Sequence, residues 1–261
     1  MKPLFCVVVV LGLLATLPSQ AEIRSEVVDY REGDEAMQGF VYWDDAIEGK
    51  RPGVMVVHEW WGLNEYAKKR AAMLAELGYV AFAVDMYGKG KVTNQRDQAR
   101  EWMQEVTADV EMWRERANYG IEYLKKHPLV DSKRIAAIGY CFGGGTVLQM
   151  AYGGADIAGV VSFHGALPAA PEESVGKIST RILVLHGYAD EFVKPDVVAN
   201  FQARLEAAGA QWEMDSYGGV KHSFTNPDAA KAGMENLKYD ALADARSWLR
   251  MRNFFRELFP E

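Results

Sequence analysis

The chain has 261 residues and a formal net charge of −7, and 49% of its residues are hydrophobic. This composition supplies enough apolar side chain for a packed core and excludes an intrinsically disordered protein. The acidic balance disfavours nucleic acids and anionic membranes as partners, because both bind basic surfaces. We therefore expect a monomer with one α/β domain whose partner is a small molecule.

The first 21 residues differ in composition from those that follow. Lys2 precedes a long apolar run, and the segment 19–21 carries small residues of the kind found at a signal-peptide cleavage site. The run is about 14 residues long, whereas a transmembrane helix needs roughly 20. The pattern predicts a signal peptide over residues 1–21, cleaved near Ala21, and a periplasmic or secreted domain of residues 22–261. An uncleaved N-terminal anchor is the alternative.

Runs rich in β-branched and aromatic residues predict strands, and several are too continuously apolar to have a solvent-facing side. These strands cover 40–43, 53–58, 80–85, 134–140, 159–164, 181–186 and 211–217. The predicted helices cover 65–77, 95–126 with a break near 107–109, 142–152, 196–208 and 229–258. This alternation predicts a mostly parallel sheet with helices on both faces, in which ligands bind at the carboxyl ends of the strands.

The segment Gly139–Gly143 follows a predicted strand and opens the helix 142–152. This is the setting of a nucleophile elbow, a strained turn in which glycines on both sides avoid backbone collisions. The start of the helix offers N–H groups and a partial positive charge that stabilise a thiolate and an oxyanion. Cys141 would be the single cysteine left after signal cleavage. A buried, inert cysteine is the alternative to a nucleophile.

Two further residues follow predicted strands, Asp190 after 181–186 and His222 after 211–217. The chain order of nucleophile, acid and base is the order that the α/β-hydrolase fold imposes. His222 would accept the proton of Cys141 and return it to the leaving oxygen, while Asp190 would orient the imidazole. The thiol would form a thioester that water hydrolyses. Alternatively, Asp190 caps the next helix and His222 is an exposed loop histidine.

Five segments between Val54 and Phe224 resemble the dienelactone hydrolase family. They are His58-Glu59-Trp60-Trp61-Gly62, Asp85-Met86-Tyr87-Gly88, Gly139-Tyr140-Cys141-Phe142-Gly143-Gly144, His186-Gly187-Tyr188-Ala189-Asp190 and His222-Ser223-Phe224. Cysteine stands where most α/β-hydrolases carry serine, and this is itself a mark of the family. The resemblance implies the α/β-hydrolase fold and hydrolysis of carboxylic esters or lactones with neither a metal nor an organic cofactor.

The resemblance also implies roles for residues that spacing alone does not identify. It implies that Glu59 helps to take the thiol proton as substrate binds, and that the backbone N–H groups of Trp60 and Phe142 form the oxyanion hole. For Glu59 the alternative is a carboxylate at the start of a helix. In the family two arginines bind the substrate carboxylate, whereas this chain has Lys89 and the uncharged Asn226. The family's reaction therefore carries over better than dienelactone as the substrate.

Aromatic side chains near these motifs predict a compact, partly apolar pocket. We expect Tyr87, Trp61 and Tyr188 to bind substrate together with Lys89, although packing in the core is the alternative for the aromatic residues. The segment 168–176 could be a surface loop or a lid over the pocket. His58, His164 and His186 also end strands and could line the pocket, but no partner at metal-ligand spacing accompanies them.

Three other functions compete with ester or lactone hydrolysis. The enzyme could cleave another acyl substrate, such as a thioester or a peptide. A protein without catalytic activity could bind a small molecule on the same fold. A thiol redox protein is the third alternative, and the lack of a resolving cysteine disfavours it.

Overall fold

The computed structural model describes residues 22–260, so the predicted signal peptide lies outside the described residues. The strands are β1 (Ile23–Glu32), β2 (Glu35–Asp44), β3 (Arg51–Val57), β4 (Val80–Val84), β5 (Val130–Tyr140), β6 (Gly159–Phe163), β7 (Arg181–Gly187) and β8 (Trp212–Tyr217). The α-helices are α1 (Glu65–Glu76), α2 (Arg96–Thr107), α3 (Val110–Lys126), α4 (Phe142–Tyr152), α5 (Pro195–Ala208) and α6 (Ala241–Leu258). Short 3-10 turns cover Glu172–Ser174 and Ala229–Ala232.

The eight strands described form one sheet in the order β1-β2-β4-β3-β5-β6-β7-β8. The pairs from β4 through β8 are parallel, whereas β1 pairs antiparallel with β2 and β2 pairs antiparallel with β4. Every residue of β3 is buried, because its alternate side chains enter two apolar clusters on opposite faces. Helices α3, α4 and α5 cover one face, while α1 and α6 cover the other. The predicted mostly parallel sheet with helices on both faces is confirmed.

Most predicted element bounds agree with the structure, including the break near 107–109. Helix α2 ends at Thr107, and Asp109 caps α3 by accepting hydrogen bonds from two N–H groups of its first turn. One strand was not predicted, and one predicted helix is shorter than expected. Strand β1 was missed because it is an exposed, largely polar edge strand. The predicted helix 229–258 forms only its second part, because Gly233 ends the 3-10 turn with φ of 62° and α6 begins afresh after Asp240.

The carboxyl ends of the parallel strands place several polar residues at one edge of the sheet. Glu59 follows β3, Cys141 follows β5, Asp190 follows β7 and His222 follows β8. The topology therefore gathers residues that are far apart in the chain. None of the helices within residues 22–260 is long and apolar enough to cross a membrane.

Candidate active site

Cys141 occupies a tight turn between β5 and α4. Its φ of 54° is unusual for a residue with a side chain, and such strain is often found at active sites. A Cβ on Gly139 would overlap the carbonyl oxygen of Gly143, and a Cβ on Gly143 would overlap the carbonyl oxygen of Val57. The close approach of three backbone segments therefore requires both glycines, as expected for a nucleophile elbow.

The backbone N–H groups around this turn differ in whether they have an acceptor. The Cys141 N–H donates to the Phe163 oxygen at 3.1 Å, and the Gly143 N–H donates to the His58 oxygen at 3.1 Å. Among the described residues, the N–H groups of Trp60 and Phe142 have no acceptor. Both residues line the same pocket as Cys141. The two N–H groups predicted to form an oxyanion hole are thus available to a ligand.

His222 and Asp190 are joined by a short, buried hydrogen bond. The distance from Nδ1 of His222 to Oδ2 of Asp190 is 2.6 Å, and both residues are about 95% buried. The other carboxylate oxygen of Asp190 accepts the Phe192 N–H at 2.9 Å. Asp190 does not cap α5, which follows Lys194, and His222 is not an exposed loop residue. Both alternatives for these residues are therefore wrong.

The electrostatics around His222 favour its protonated form. Burial alone lowers the pKa of the imidazole, but the negative charge of a Cys141 thiolate and the hydrogen bond to Asp190 raise it to about 10. Cys141 is a free, half-buried cysteine that lines the pocket together with His222. The arrangement is suited to a thiolate beside an imidazolium, the form in which a cysteine is nucleophilic.

Glu59 is buried, and both of its carboxylate oxygens are engaged by the loop that carries His222. Ser223 Oγ donates to Oε1 at 2.7 Å, and Asn226 Nδ2 donates to Oε2 at 2.6 Å. Burial raises the pKa of Glu59, while these two hydrogen bonds oppose that shift. Helix α1 begins after Asn64, so Glu59 is not a helix-start carboxylate. No motif identified Ser223 and Asn226 as its partners.

The pocket at Cys141 is small and largely apolar, with a volume of about 190 Å³. It is lined by Trp60, Met103, Cys141, Phe142, Ala166, Phe192, Val193, His222 and Leu237. Among the described residues, His222 is the one titratable nitrogen base in this lining, and no Lys, Arg, Asp or Glu joins it. Met103 comes from α2, and Leu237 precedes α6. Sequence reasoning missed both because neither lies near a recognisable motif.

The four residues expected to bind substrate do not line this pocket. The amine of Lys89 instead contacts both carboxylate oxygens of Asp29, at 3.0 and 3.1 Å. Tyr87 is buried against Phe142, and Trp61 packs on Trp60 with ring centroids 4.8 Å apart. Tyr188 is 70% exposed and lines a neighbouring cleft. The expectation for Lys89 is corrected, because its charge is already paired at the sheet edge.

His58 and the segment 168–176 make hydrogen bonds within the fold and do not line the pocket. His58 Nδ1 lies 2.5 Å from the Glu59 oxygen, and its Nε2 accepts the Met86 N–H, so this histidine joins two loops. The segment 168–176 is fastened to the helices, since Tyr152 donates to the Pro168 oxygen and Arg204 to the Ala170 oxygen. None of its residues lines the pocket. Within residues 22–260, no cluster of three His, Cys, Asp or Glu side chains could hold a metal ion.

The strand order, the elbow turn and the two loops at the carboxyl edge define an α/β-hydrolase fold. Residues 37–259 match the model of the dienelactone hydrolase family. The chain belongs to this family, as its motifs had indicated. It is therefore a hydrolase by family, with the fold expected of one.

Solved and curated relatives agree with this assignment. The fold superposes with a TM-score of 0.88 on a crystal structure described as a dienelactone hydrolase-like promiscuous phosphotriesterase from metagenomic libraries, which is 38% identical over 91% of this chain and 99% of that one. A putative carboxymethylenebutenolidase of Aquifex aeolicus is 27% identical, over 78% of this chain and 87% of its own. A probable 2-oxo-3-(5-oxofuran-2-ylidene)propanoate lactonase of Bradyrhizobium is 27% identical, over 68% and 75%.

Proposed function

We propose that the protein hydrolyses carboxylic esters or lactones through Cys141, His222 and Asp190, with a thioester intermediate. The observation that carries this proposal is the 2.6 Å hydrogen bond between His222 and Asp190, at the edge of a pocket shared by the imidazole and the Cys141 thiol. The N–H groups of Trp60 and Phe142, which line the same pocket and have no acceptor within residues 22–260, support acyl transfer in particular. A binding protein would have no need of this combination.

The reaction proceeds in two halves. The Cys141 proton passes to His222, and the thiolate attacks the carbonyl carbon while the N–H groups of Trp60 and Phe142 stabilise the oxyanion. His222 then donates its proton to the leaving oxygen, so that an alcohol departs and a thioester remains. In the second half, His222 takes a proton from water, which attacks the thioester. The carboxylic acid is released and the thiol is restored.

Charge and size support a compact, uncharged substrate. The part of the chain that the structure describes puts no Lys or Arg in the pocket lining, and the pocket is about 190 Å³ in volume. The Lys89 cation is paired with Asp29, and Asn226 is uncharged and donates to Glu59, so neither supplies a cation for a substrate carboxylate. Short aryl esters and unsubstituted small lactones fit these properties better than an anionic dienelactone. The relatives named as a carboxymethylenebutenolidase and as a lactonase support the lactone class.

Phosphotriester hydrolysis is a second candidate activity. The relative named as a promiscuous phosphotriesterase is 38% identical over nearly its full length. Phosphotriesters are uncharged, and the largely apolar lining of this pocket favours an uncharged substrate. A neutral aryl dialkyl phosphate therefore belongs in the same substrate panel as the esters.

The test is a panel of short aryl esters, small lactones and an aryl dialkyl phosphate, assayed with the native protein and with Cys141→Ala, Cys141→Ser and His222→Ala. We expect Cys141→Ala and His222→Ala each to lose at least about a hundredfold in rate. His127→Ala is the matched control, because His127 ends α3 away from the pocket. Equal turnover in all variants would contradict the proposal. Tight binding without product release would favour a binding protein.

We further propose that residues 1–21 direct export, on the composition of that segment. Expression of the full chain in a Gram-negative host should give a periplasmic protein whose mass corresponds to cleavage near Ala21. A protein that keeps Met1 and stays with the cytoplasmic fraction would contradict export.

A further inference from the structure

A series of hydrogen bonds runs behind His222, and none of its groups takes part in the bond-making steps of the proposed reaction. The Thr225 hydroxyl lies 2.6 Å from Nε2 of His164 and 2.5 Å from the Tyr66 hydroxyl. Arg70 Nε donates to the Tyr66 hydroxyl at 3.3 Å, and the same guanidinium pairs with Asp244. Arg70, His164 and Thr225 are each at least 95% buried. These groups therefore interact with one another rather than with solvent.

This series of hydrogen bonds connects two residues with strained backbone conformations close to the His222 imidazole. His164 has φ of 38° and Ser223 has φ of 54°, and apart from Cys141 no other non-glycine residue between 22 and 260 has a positive φ. Thr225 lies two residues after Ser223, and its carbonyl oxygen also accepts a hydrogen bond from Arg70. Strained residues persist only where their surroundings fix them. Thr225 is thus a point at which both strained segments are held.

The donors in this series determine the order of its protons. A guanidinium can only donate, so the Tyr66 hydroxyl accepts from Arg70. Thr225 Oγ1 is the one acceptor that the Tyr66 hydroxyl contacts among the described residues, so we assign the Tyr66 proton to that bond. Thr225 then donates to Nε2 of His164, which leaves the ring proton on Nδ1. Nδ1 is buried and has no hydrogen-bond partner among the described residues, so the hydrogen bond at Nε2 is the contact that sets the tautomer.

His164 lies edge-on to His222, with ring centroids 5.3 Å apart. The groups that face it are His222, Thr225, Phe224 and Tyr140, with the Arg70 cation nearby. Burial, His222 and Arg70 all lower the pKa of His164. A positive charge on His164 would repel an imidazolium at His222, so a neutral His164 is required for His222 to hold its proton.

We propose that Arg70, Tyr66 and Thr225 hold His164 as the neutral Nδ1–H tautomer, and that this arrangement positions His222. The inference rests on the proposed function, because it assigns these hydrogen bonds a role in positioning His222 for catalysis. These groups are positioning residues, since none of them lines the pocket or contacts the thiol. Their loss should reduce turnover without changing substrate binding.

The experiment compares Thr225→Val with Thr225→Ser. Valine keeps the shape of threonine but removes the hydroxyl, so we expect kcat to fall about tenfold while KM stays unchanged. Serine keeps the hydroxyl and should retain kcat within about twofold. Histidine 15N NMR of the native protein should show a protonated Nδ1 and an unprotonated Nε2 at His164, and Thr225→Val should lose this single tautomer. Tyr66→Phe serves as a second variant if Thr225→Val fails to fold.

Several results would overturn the inference. A native His164 protonated on Nε2, or on both nitrogens, contradicts the proposed proton order whatever the activity. Equal losses in Thr225→Val and Thr225→Ser would assign the effect to packing instead of the hydroxyl. If no substrate is hydrolysed and Cys141→Ala changes nothing, the proposed function fails, while the NMR result still decides the tautomer.

Discussion

The two loops that present Cys141 and His222 are held in different ways. The Cys141 turn depends on backbone contacts and on glycines that allow them. The loop 222–226 depends on side chains, because Ser223 and Asn226 bind Glu59 while Thr225 binds His164 and Tyr66. Backbone contacts set by glycine leave a local motif in the sequence. The partners of the side chains in loop 222–226 come from distant parts of the sequence, so their pairing produces no local sequence motif.

The largest expected effect comes from filling the backbone contact at the elbow. Gly143→Ala should lower the free energy of unfolding by about 3 kcal/mol, because its Cβ would overlap carbonyl oxygens of the β3 loop. Gly145→Ala is the matched control, since its Cβ would meet Ala166 at 3.4 Å and alanine favours a helix. Chemical denaturation measures both variants. Equal stability in the two would refute the account of the elbow.

A smaller effect is expected from loss of the two hydrogen bonds that Ser223 and Asn226 donate to Glu59. Glu59→Gln should lower the free energy of unfolding by about 2 kcal/mol at neutral pH, because an amide offers one acceptor to two buried donors. Glu65→Gln makes the same change at a carboxylate that is 90% exposed, and should cost less than about 0.5 kcal/mol. If both variants match the native protein, Glu59 does not hold the loop.

The contribution of Glu59 to the free energy of unfolding should depend on pH in a defined direction. Burial in the folded protein raises the pKa of Glu59. The folded protein therefore keeps the proton of the Glu59 carboxyl group at pH values where the unfolded chain has lost it. The resulting stabilisation is fully present below the ordinary glutamate pKa and is lost as the pH rises through the folded value. The difference in unfolding free energy between native protein and Glu59→Gln should change in this direction. A difference that is independent of pH would contradict the burial of an ionisable Glu59.

The smallest effect is expected at Lys89. Because its amine is half-exposed and paired with Asp29 outside the pocket, Lys89→Ala should leave KM for anionic and neutral esters equally unchanged. Stability should change by less than about 1 kcal/mol. Steady-state kinetics with a matched pair of charged and neutral esters checks this. A selective rise in KM for the anionic ester would return Lys89 to substrate binding.

Sequence patterns were informative where one element carries its own signal. The elbow, the break between α2 and α3, and the loops after β7 and β8 were all predictable from local composition. Strand β1 was not, because its pairing with β2 stabilises a largely polar segment. The pocket lining was also largely beyond prediction. Met103, Phe192 and Leu237 meet there only because α2 and two loops converge after folding.

The resemblance to a family pointed to Trp60, Phe142 and Glu59, whose predicted roles remain predictions, but it misled at Lys89. A basic residue near a motif can pair with any acid that the fold brings close, and Asp29 lies on the strand that the sequence did not predict. Correct placement of Lys89 thus required knowing β1. The error shows that charge assignments depend on tertiary pairing more than motif assignments do.

The central claim is that the Cys141 sulfur carries the acyl group during turnover. Mass spectrometry of protein quenched within one turnover of an acetyl aryl ester tests it most directly. We predict one acetyl group on the peptide that contains Cys141, removable by hydroxylamine and absent from Cys141→Ala. Full ester turnover with no adduct on that peptide, and with undiminished activity in Cys141→Ala, would contradict the claim.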